Sequence, residues 1–460
     1  MELMLSLSAY KRDPSALINI HTIYSYPASR NLSMSKLFSL CLLLSIFFIA
    51  HSTVPPSSTF QYVNEGEFGY YSSEYAPDYR PLPQGTSPFQ LMFYNTTPNA
   101  YTLALLMGTR RSESTRRWVW EANRGNPVRE NATLTFGKDG NLVLADADGR
   151  VAWQTNTANK GVVGLQLLSN GNMVLHDSKG NFIWQSFDSP TDTLLVGQSL
   201  RVGGVTRLVS RASETHNSDG AYSLVMEPKR LAMYYKSPNS PKPYIYYDFD
   251  SVYNGRLQNA TLNCAPNGYD DLANDLTLDL STGNAMTLAR PKYNSTLSFL
   301  RIGIDGSLKM YTYNNKVDYQ AWEETYTLFS RDGFPEGECQ LPERCGKFGL
   351  CEDSQCVACP LPSGLMGWSK YCEPVKPPAC GSKNFYYYKL EGVDHSMSKY
   401  GSGSGAMKED DCGKKCSSDC KCLGYFYNKE ISKCWIAYDL QTLTKVANST
   451  HVGYIKAPKQ

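Results

Sequence analysis

Two stretches, "GNLVLADADGRVAWQ" from Gly140 and "GNMVLHDSKGNFIWQ" from Gly171, lie 31 residues apart and carry Asn, Val, Asp, Gly, Trp and Gln in the same order. The alignment sets Asn141 on Asn172, Val143 on Val174, Asp146 on Asp177 and Trp153 on Trp184. A weaker third copy lies upstream in "RWVWEANRG", where Trp120 takes the tryptophan position. A unit this short cannot bury its own apolar face, so three units must pool Trp120, Trp153 and Trp184 in a common axis. That geometry is a three-sided β-prism. The two-residue strand period sends Leu142 and Leu144 to the core and Asn141, Val143 and Ala145 outward, where a ligand could sit.

The rest of the composition fits such a fold. Tyrosine leads an aromatic share of 12%, and Gly, Pro, Asn and Ser recur at short intervals, which favours short strands and turns. At 460 residues several domains are expected. A formal net charge of +2 and the lack of like-charge runs argue against nucleic acid or an anionic membrane as partner. "MSKLFSLCLLLSIFFIAHSTVPPSS", from Met34, has the three parts of a secretory signal peptide: a lysine, an apolar run from Leu37 to Ala50, and a small-x-small cleavage site at Ala50-His51-Ser52. Residues 34–52 are therefore expected to be removed, and residues 1–33 read as an upstream extension. No later stretch offers a membrane anchor, so a secreted, extracellular protein of the cell wall or apoplast is expected. Asn95, Asn131, Asn259, Asn294 and Asn448 stand in Asn-x-Ser/Thr sites, each expected on an exposed loop that could carry glycan.

"VWEANRGNPV" together with the two repeats resembles the bulb-type, mannose-binding lectin domain of plant S-locus glycoproteins and S-domain receptors, over residues 60–200. The whole chain resembles the secreted, kinase-less epidermis-specific glycoproteins of plants. The family's sugar motif is Gln-x-Asp-x-Asn-x-Val-x-Tyr on one strand. Alternate residues share a face, so Gln, Asp, Asn and Tyr reach neighbouring hydroxyls while Val packs on ring carbons. On this sequence the first copy reads Gly137, Asp139, Asn141, Val143, Ala145 and the second Leu168, Asn170, Asn172, Val174, His176. Two to three polar contacts are missing, a penalty of about 1 to 4 kcal/mol. A monosaccharide site near millimolar, about −4 kcal/mol, has little to lose. A scaffold without a sugar site is one reading; weak mannose binding through Asn170, Asn172 and His176 is the other.

A second β-rich block, residues 201–335, resembles a degenerate second prism. In "IGIDGSLKMY" the motif positions fall on Gly303, Asp305, Ser307, Lys309 and Tyr311, with a lysine where Val should pack. Of the 14 cysteines, Cys41 leaves with the signal and Cys264 stands alone. Cys339, Cys345, Cys351, Cys356, Cys359 and Cys372 lie in residues 339–373, a stretch too small for its own core that resembles an EGF-type module. Zinc at Cys356 and Cys359 is the rival reading, opposed by the oxidising secretory route. Cys380, Cys412, Cys416, Cys420, Cys422 and Cys434, in residues 380–457, resemble those of a PAN/apple domain, with Cys412 and Cys416 on one helix face and Cys420 and Cys422 on one strand face. The resemblance implies Cys412–Cys434 and Cys416–Cys422. Cys380–Cys420 is expected as the third bridge, with Cys339–Cys351, Cys345–Cys356 and Cys359–Cys372 in the module before it; spacing alone proves none of these.

The expected fold is thus mainly all-β: tandem bulb-lectin β-prisms, a small disulfide-rich EGF-like module and an α+β PAN/apple domain. No cofactor or metal is expected, and no enzyme, since Asp188 and Asp192 in "FDSPTDT" read as turn carboxylates and no nucleophile stands beside a base. Gly401, Gly403 and Ala406 mimic a dinucleotide loop without its βαβ setting. The function expected is a lectin-like glycoprotein binding wall glycans, glycoproteins or receptor ectodomains through degenerate motifs. The alternatives are an active mannose lectin and a wall enzyme or its inhibitor. Two checks follow: N-terminal sequencing of the secreted protein should begin at Thr53, and thiol titration should count one thiol, that of Cys264, where several would contradict secretion.

Overall fold

The turn that opens each repeat is built from the backbone outward. The structure is a computed structural model describing residues 53–459 apart from 110–114, 250–255, 268–269, 281–282, 284 and 291–294. The leader segments, Cys41 and Asn294 lie outside the described residues. Gly140, Gly171 and Gly306 stand at φ of 79°, 86° and 80°, and each amide returns to the carbonyl three residues earlier, on Gly137, Leu168 and Gly303. A Cβ on Gly140 would come within 2.6 Å of Val162, and one on Gly171 within 2.7 Å of Phe89. Only glycine satisfies both the backbone angle and the close approach.

Each turn launches a strand that hairpins back with a tryptophan. Leu142–Ala145 pairs with Val151–Gln154, and Met173–His176 with Phe182–Gln185. The first hairpin joins Thr133–Phe136 and Phe60–Val63 in one sheet, and the second is completed by Gly164–Leu167. The third sheet holds Asp78–Thr86, Phe89–Asn95, Tyr101–Met107 and Arg117–Glu121. The three sheets meet at Trp120, Trp153 and Trp184, whose ring centroids lie 5.9, 6.2 and 5.7 Å apart with planes at 74°, 70° and 75°. Each indole is edge-on to the other two, an arrangement worth about 0.5–1.5 kcal/mol per pair beyond the area buried.

Three four-stranded sheets make the second prism. They are Thr193–Leu195, Ser298–Ile302, Leu308–Tyr313 and Trp322–Thr327; Ser199–Arg201, Asn259–Asn267, Asp270–Leu280 and Ala285–Ala289; and Arg207–Arg211, Asp219–Glu227, Arg230–Tyr235 and Tyr244–Asp248. Its core is leucine, methionine and tyrosine, with no tryptophan cluster. One of its sheets is a wall shared with the first prism. Along Ser298–Ile302 and Leu308–Tyr313, Leu300, Ile302, Leu308 and Met310 face the second core, while Phe299 and Tyr313 join the first.

Buried charge fixes that wall. Arg124 commits its guanidinium to Glu121 Oε2 (2.6 Å), the Val209 carbonyl (2.7 Å) and Asp192 Oδ2 (2.9 Å). Arg301 donates to both oxygens of Glu74 (2.9 and 2.8 Å), to Thr193 Oγ1 (3.1 Å) and to the Trp118 carbonyl. Arg211 donates to Tyr94 Oη and to Glu121 Oε1 (2.5 and 3.2 Å). Buried charges are tolerated when every hydrogen-bonding group is used, and these bonds run from one prism to the other.

The C-terminal region is built on two sheets. Gly364–Gly367, Gln355–Leu361 and Phe348–Glu352 continue, through a parallel pairing with Gln441–Lys445, to Val393–His395. The other sheet holds Phe385–Glu391, His451–Pro458, Gly424–Asn428 and Lys433–Ala437, against the helix Glu409–Ser418. Six disulfides join Cys339–Cys351, Cys345–Cys356, Cys359–Cys372, Cys380–Cys420, Cys412–Cys434 and Cys416–Cys422. The strand expected to carry Cys420 and Cys422 starts only at Gly424, and both residues lie in the bend before it. That bend exposes Cys420 and buries Cys422, so the two serve different partners. The Lys456 ammonium closes the helix by donating to the carbonyls of Cys416 and Asp419 (3.2 and 3.3 Å). No helix among the described residues is long and apolar enough to cross a membrane.

Burial works against ionisation of Asp192, but Arg124 and Arg301 hold its carboxyl below the ordinary value of 3.8. A carboxylate depressed in the folded state stabilises above its unfolded value, and that stability is lost as pH falls through the folded one. Asp192→Asn, which leaves Arg124 and Arg301 buried and under-paired, should cost about 3–5 kcal/mol at neutral pH and progressively less as pH falls below the ordinary carboxylate range. Denaturant unfolding of both proteins at neutral and acid pH checks this.

Candidate functional site

In both copies the second motif position is a carboxylate or amide that serves its own turn. Asp139 Oδ1 accepts the Asn141 amide (3.1 Å), and Asn170 Oδ1 accepts the Asn172 amide (3.1 Å). The corresponding position in the second prism repeats this, with Asp305 Oδ1 accepting from the Ser307 amide and hydroxyl (3.0 and 2.6 Å). These are Asx turns, the local use to which a short polar side chain beside glycine is suited.

The central asparagines are buried, contrary to the outward position expected from strand alternation. Asn141 is 8% and Asn172 3% exposed. Asn141 Oδ1 accepts from Thr155 Oγ1 (3.0 Å) and the Thr157 amide (3.1 Å), and its Nδ2 donates to Gln154 Oε1 (2.9 Å). The second copy repeats this pattern: Asn172 Oδ1 accepts from Ser186 Oγ and the Phe187 amide (both 3.3 Å), and Nδ2 donates to Gln185 Oε1 (2.9 Å). Each asparagine thus ties its strand to the end of the tryptophan-bearing strand. The Gln-Thr and Gln-Ser pairs that follow Trp153 and Trp184 were the sequence signal for this clamp.

The two copies differ at the hydrophobic position. Val174 is 0% exposed and offers no surface to a sugar ring, whereas Val143 is half-buried. His176 is half-buried, with Nδ1 3.1 Å from the Asp177 carbonyl and its ring lying over Gly164, where an added Cβ would meet Nε2 at 2.7 Å. Asp139 is exposed. Beyond Ala145, Asp146 is held by Arg129 and Arg150 (3.0 and 3.3 Å). Burial would raise its carboxyl, but backbone and arginine hydrogen bonds hold it below the ordinary range. In the second prism, Lys309 pairs with Glu324 (2.9 Å) and Tyr311 lies under the Arg117 guanidinium (4.2 Å).

The other candidate residues are scattered. Asp188 and Asp192 do not form an acid pair, because Asp188 is an exposed partner of Arg201 (2.8 Å) and Asp192 is locked in the buried network. Cys356 and Cys359 are both consumed by disulfides, and no group of metal-ligating side chains occurs among the described residues. The sequons divide by burial. Asn131 and Asn448 are exposed and Asn259 half-buried. Asn95 is a correction to the exposed loop expected for it: it ends the strand Phe89–Asn95 at 5% exposure, and Thr97, the hydroxyl residue of its sequon, donates to the Thr215 carbonyl (3.1 Å). Strand placement, invisible in the Asn-x-Thr pattern itself, decides this.

The sequence relationships agree with this architecture. A family model described as D-mannose binding lectin matches residues 117–214. The epidermis-specific secreted glycoprotein EP1 of Daucus carota is 59% identical over 385 residues, spanning 78% of this chain and 99% of that protein. EP1-like glycoprotein 3 of Arabidopsis thaliana is 51% identical over 436 residues, 93% of this chain and 98% of that protein. Among solved structures, a monomeric monocot mannose-binding lectin from Gastrodia elata is 23% identical and covers 28% of this chain and 96% of its own, at a TM-score of 0.17. On the full-length relationships, the chain belongs to the EP1-like glycoproteins, lectin-like proteins of plants built around a bulb-type lectin domain.

Proposed function

We propose that this protein is a secreted, glycosylated, lectin-like component of the cell wall or apoplast, in which the mannose motifs of the first prism have become part of the scaffold. It acts by binding glycans, glycoproteins or receptor ectodomains through other surfaces of the prisms and the C-terminal disulfide-rich region. Secretion is inferred from the signal-like segment at 34–52 and from the relative EP1, whose name describes a secreted glycoprotein. Glycan is assigned to Asn131 and Asn448, the exposed sequons.

The observation that carries this reading is the internal use of both central asparagines. Each Oδ1 already accepts two hydrogen bonds, and each Nδ2 has one donor committed to a glutamine. A sugar hydroxyl would have to displace partners from buried oxygens that already accept two hydrogen bonds, at about 1–3 kcal/mol for each group left unpaired. Three of the four end positions, Gly137, Ala145 and Leu168, bring no polar side chain, and the fourth, His176, has its Nδ1 3.1 Å from the Asp177 carbonyl.

One feature favours a second reading, an active mannose lectin: in the first copy Asp139 is exposed and Val143 is half-buried, so a partial face survives there. A glycan array with the purified secreted protein separates the two. No signal is expected for mannose-terminated glycans, while Asn172→Ala should lower unfolding stability by about 1–3 kcal/mol. Mannose binding that disappears in Asn172→Ala or Asp139→Ala at unchanged stability would establish the lectin instead.

A further inference from the structure

Between the two prisms lies a cleft of about 530 Å³, within the range of roughly 300–1,000 Å³ usual for small-molecule sites. Trp153, Arg124, Arg207, Asp219 and Thr206 line it. We propose that this cleft binds a short neutral oligosaccharide.

The chemistry of the lining selects that ligand. Trp153 is half-buried and held edge-on by Trp120 and Trp184, so it presents a rigid aromatic surface of the kind on which the C–H faces of a pyranose pack. Arg124 sits deeper, its side chain 8% exposed and fixed by Glu121, Asp192 and the Val209 carbonyl, with Nη1 4.0 Å from Asp219 Oδ1. Asp219 and Arg207 are exposed at the rim. A carboxylate and a guanidinium are the acceptor and donor pair that vicinal hydroxyls satisfy. Charge points to a neutral ligand: in the buried network Arg124, Arg211 and Arg301 are balanced by Glu74, Glu121 and Asp192, which leaves Arg207 and Asp219 to cancel.

The cleft exists only where both prisms contribute, with Trp153 from the first and Arg207 and Asp219 from the second. It uses none of the motif positions Asp139, Asn141 or Val143. The proposal rests on the carbohydrate half of the function above, and its test is arranged to fail separately.

Calorimetric titration of the full secreted chain with neutral di- to tetrasaccharides of mannose, glucose and xylose, and with an anionic oligogalacturonide for comparison, provides the test. A neutral oligosaccharide should bind and shift tryptophan emission. Arg207→Ala and Asp219→Ala, both at exposed positions, should each weaken binding about tenfold or more with the unfolding midpoint unchanged. Asp139→Ala should bind as the wild type does. Binding insensitive to both cleft variants but abolished by Asp139→Ala would overturn the cleft and leave a sugar site on the outer face. Binding of the anionic oligomer alone would overturn the neutral ligand, and no saccharide binding at all would overturn the cleft while leaving protein recognition as the function.

Discussion

Everything in the first prism depends on three indoles meeting on one axis. Trp120, Trp153 and Trp184 come from three sheets, and mutual edge-to-face contact sets how closely those sheets approach. Such closeness leaves little space at the turns that feed the axis. Gly140 lies against Val162 and Gly171 against Phe89 and Leu195, so neither tolerates a side chain. The repeat is therefore conserved between its own copies by geometry, from the turn glycine through to the tryptophan, before any ligand is considered.

That constraint explains the fate of the motif residues. A hairpin drawn tightly onto the axis must secure the end of its returning strand, and Asn141 and Asn172 do so with the same three-bond clamp in each copy. A residue whose polar atoms are used in this way is retained whether or not a sugar is bound. The mannose pattern is absent at Gly137, Ala145 and Leu168, which carry no polar side chain, and at Asn170 and His176, of which Asn170 keeps the duty of closing its turn. The second prism keeps the turn, through Asp305, Gly306 and Ser307, but the tryptophan on its returning strand, Trp322, packs against the core of the first prism.

The repeat and its tryptophan were legible in the sequence because a threefold core needs one large aromatic per unit at constant spacing. The alternation of Leu142 and Leu144 against Val143 was legible for the same reason, whereas the burial of Asn141 and Val174 was not. Strand period assigns a side, but burial depends on what the neighbouring strand places there, such as Thr155 and Thr157 beside Asn141. The charge network was hidden for a different reason. Glu74, Arg124, Arg211 and Arg301 come from distant segments whose pairing exists only after both prisms have folded. Asn95 shows the same limit, since a three-residue sequon carries no information about the strand that buries it.

Side-chain amide NMR observes the two asparagines themselves. With the Nδ2 resonances of Asn141 and Asn172 assigned, slow hydrogen exchange is expected for both. No shift is expected in either when methyl α-mannoside is added to well above the millimolar range of single-sugar sites. Fast exchange, or a saturable mannoside-dependent shift at Asn141 or Asn172, would return these residues to sugar recognition.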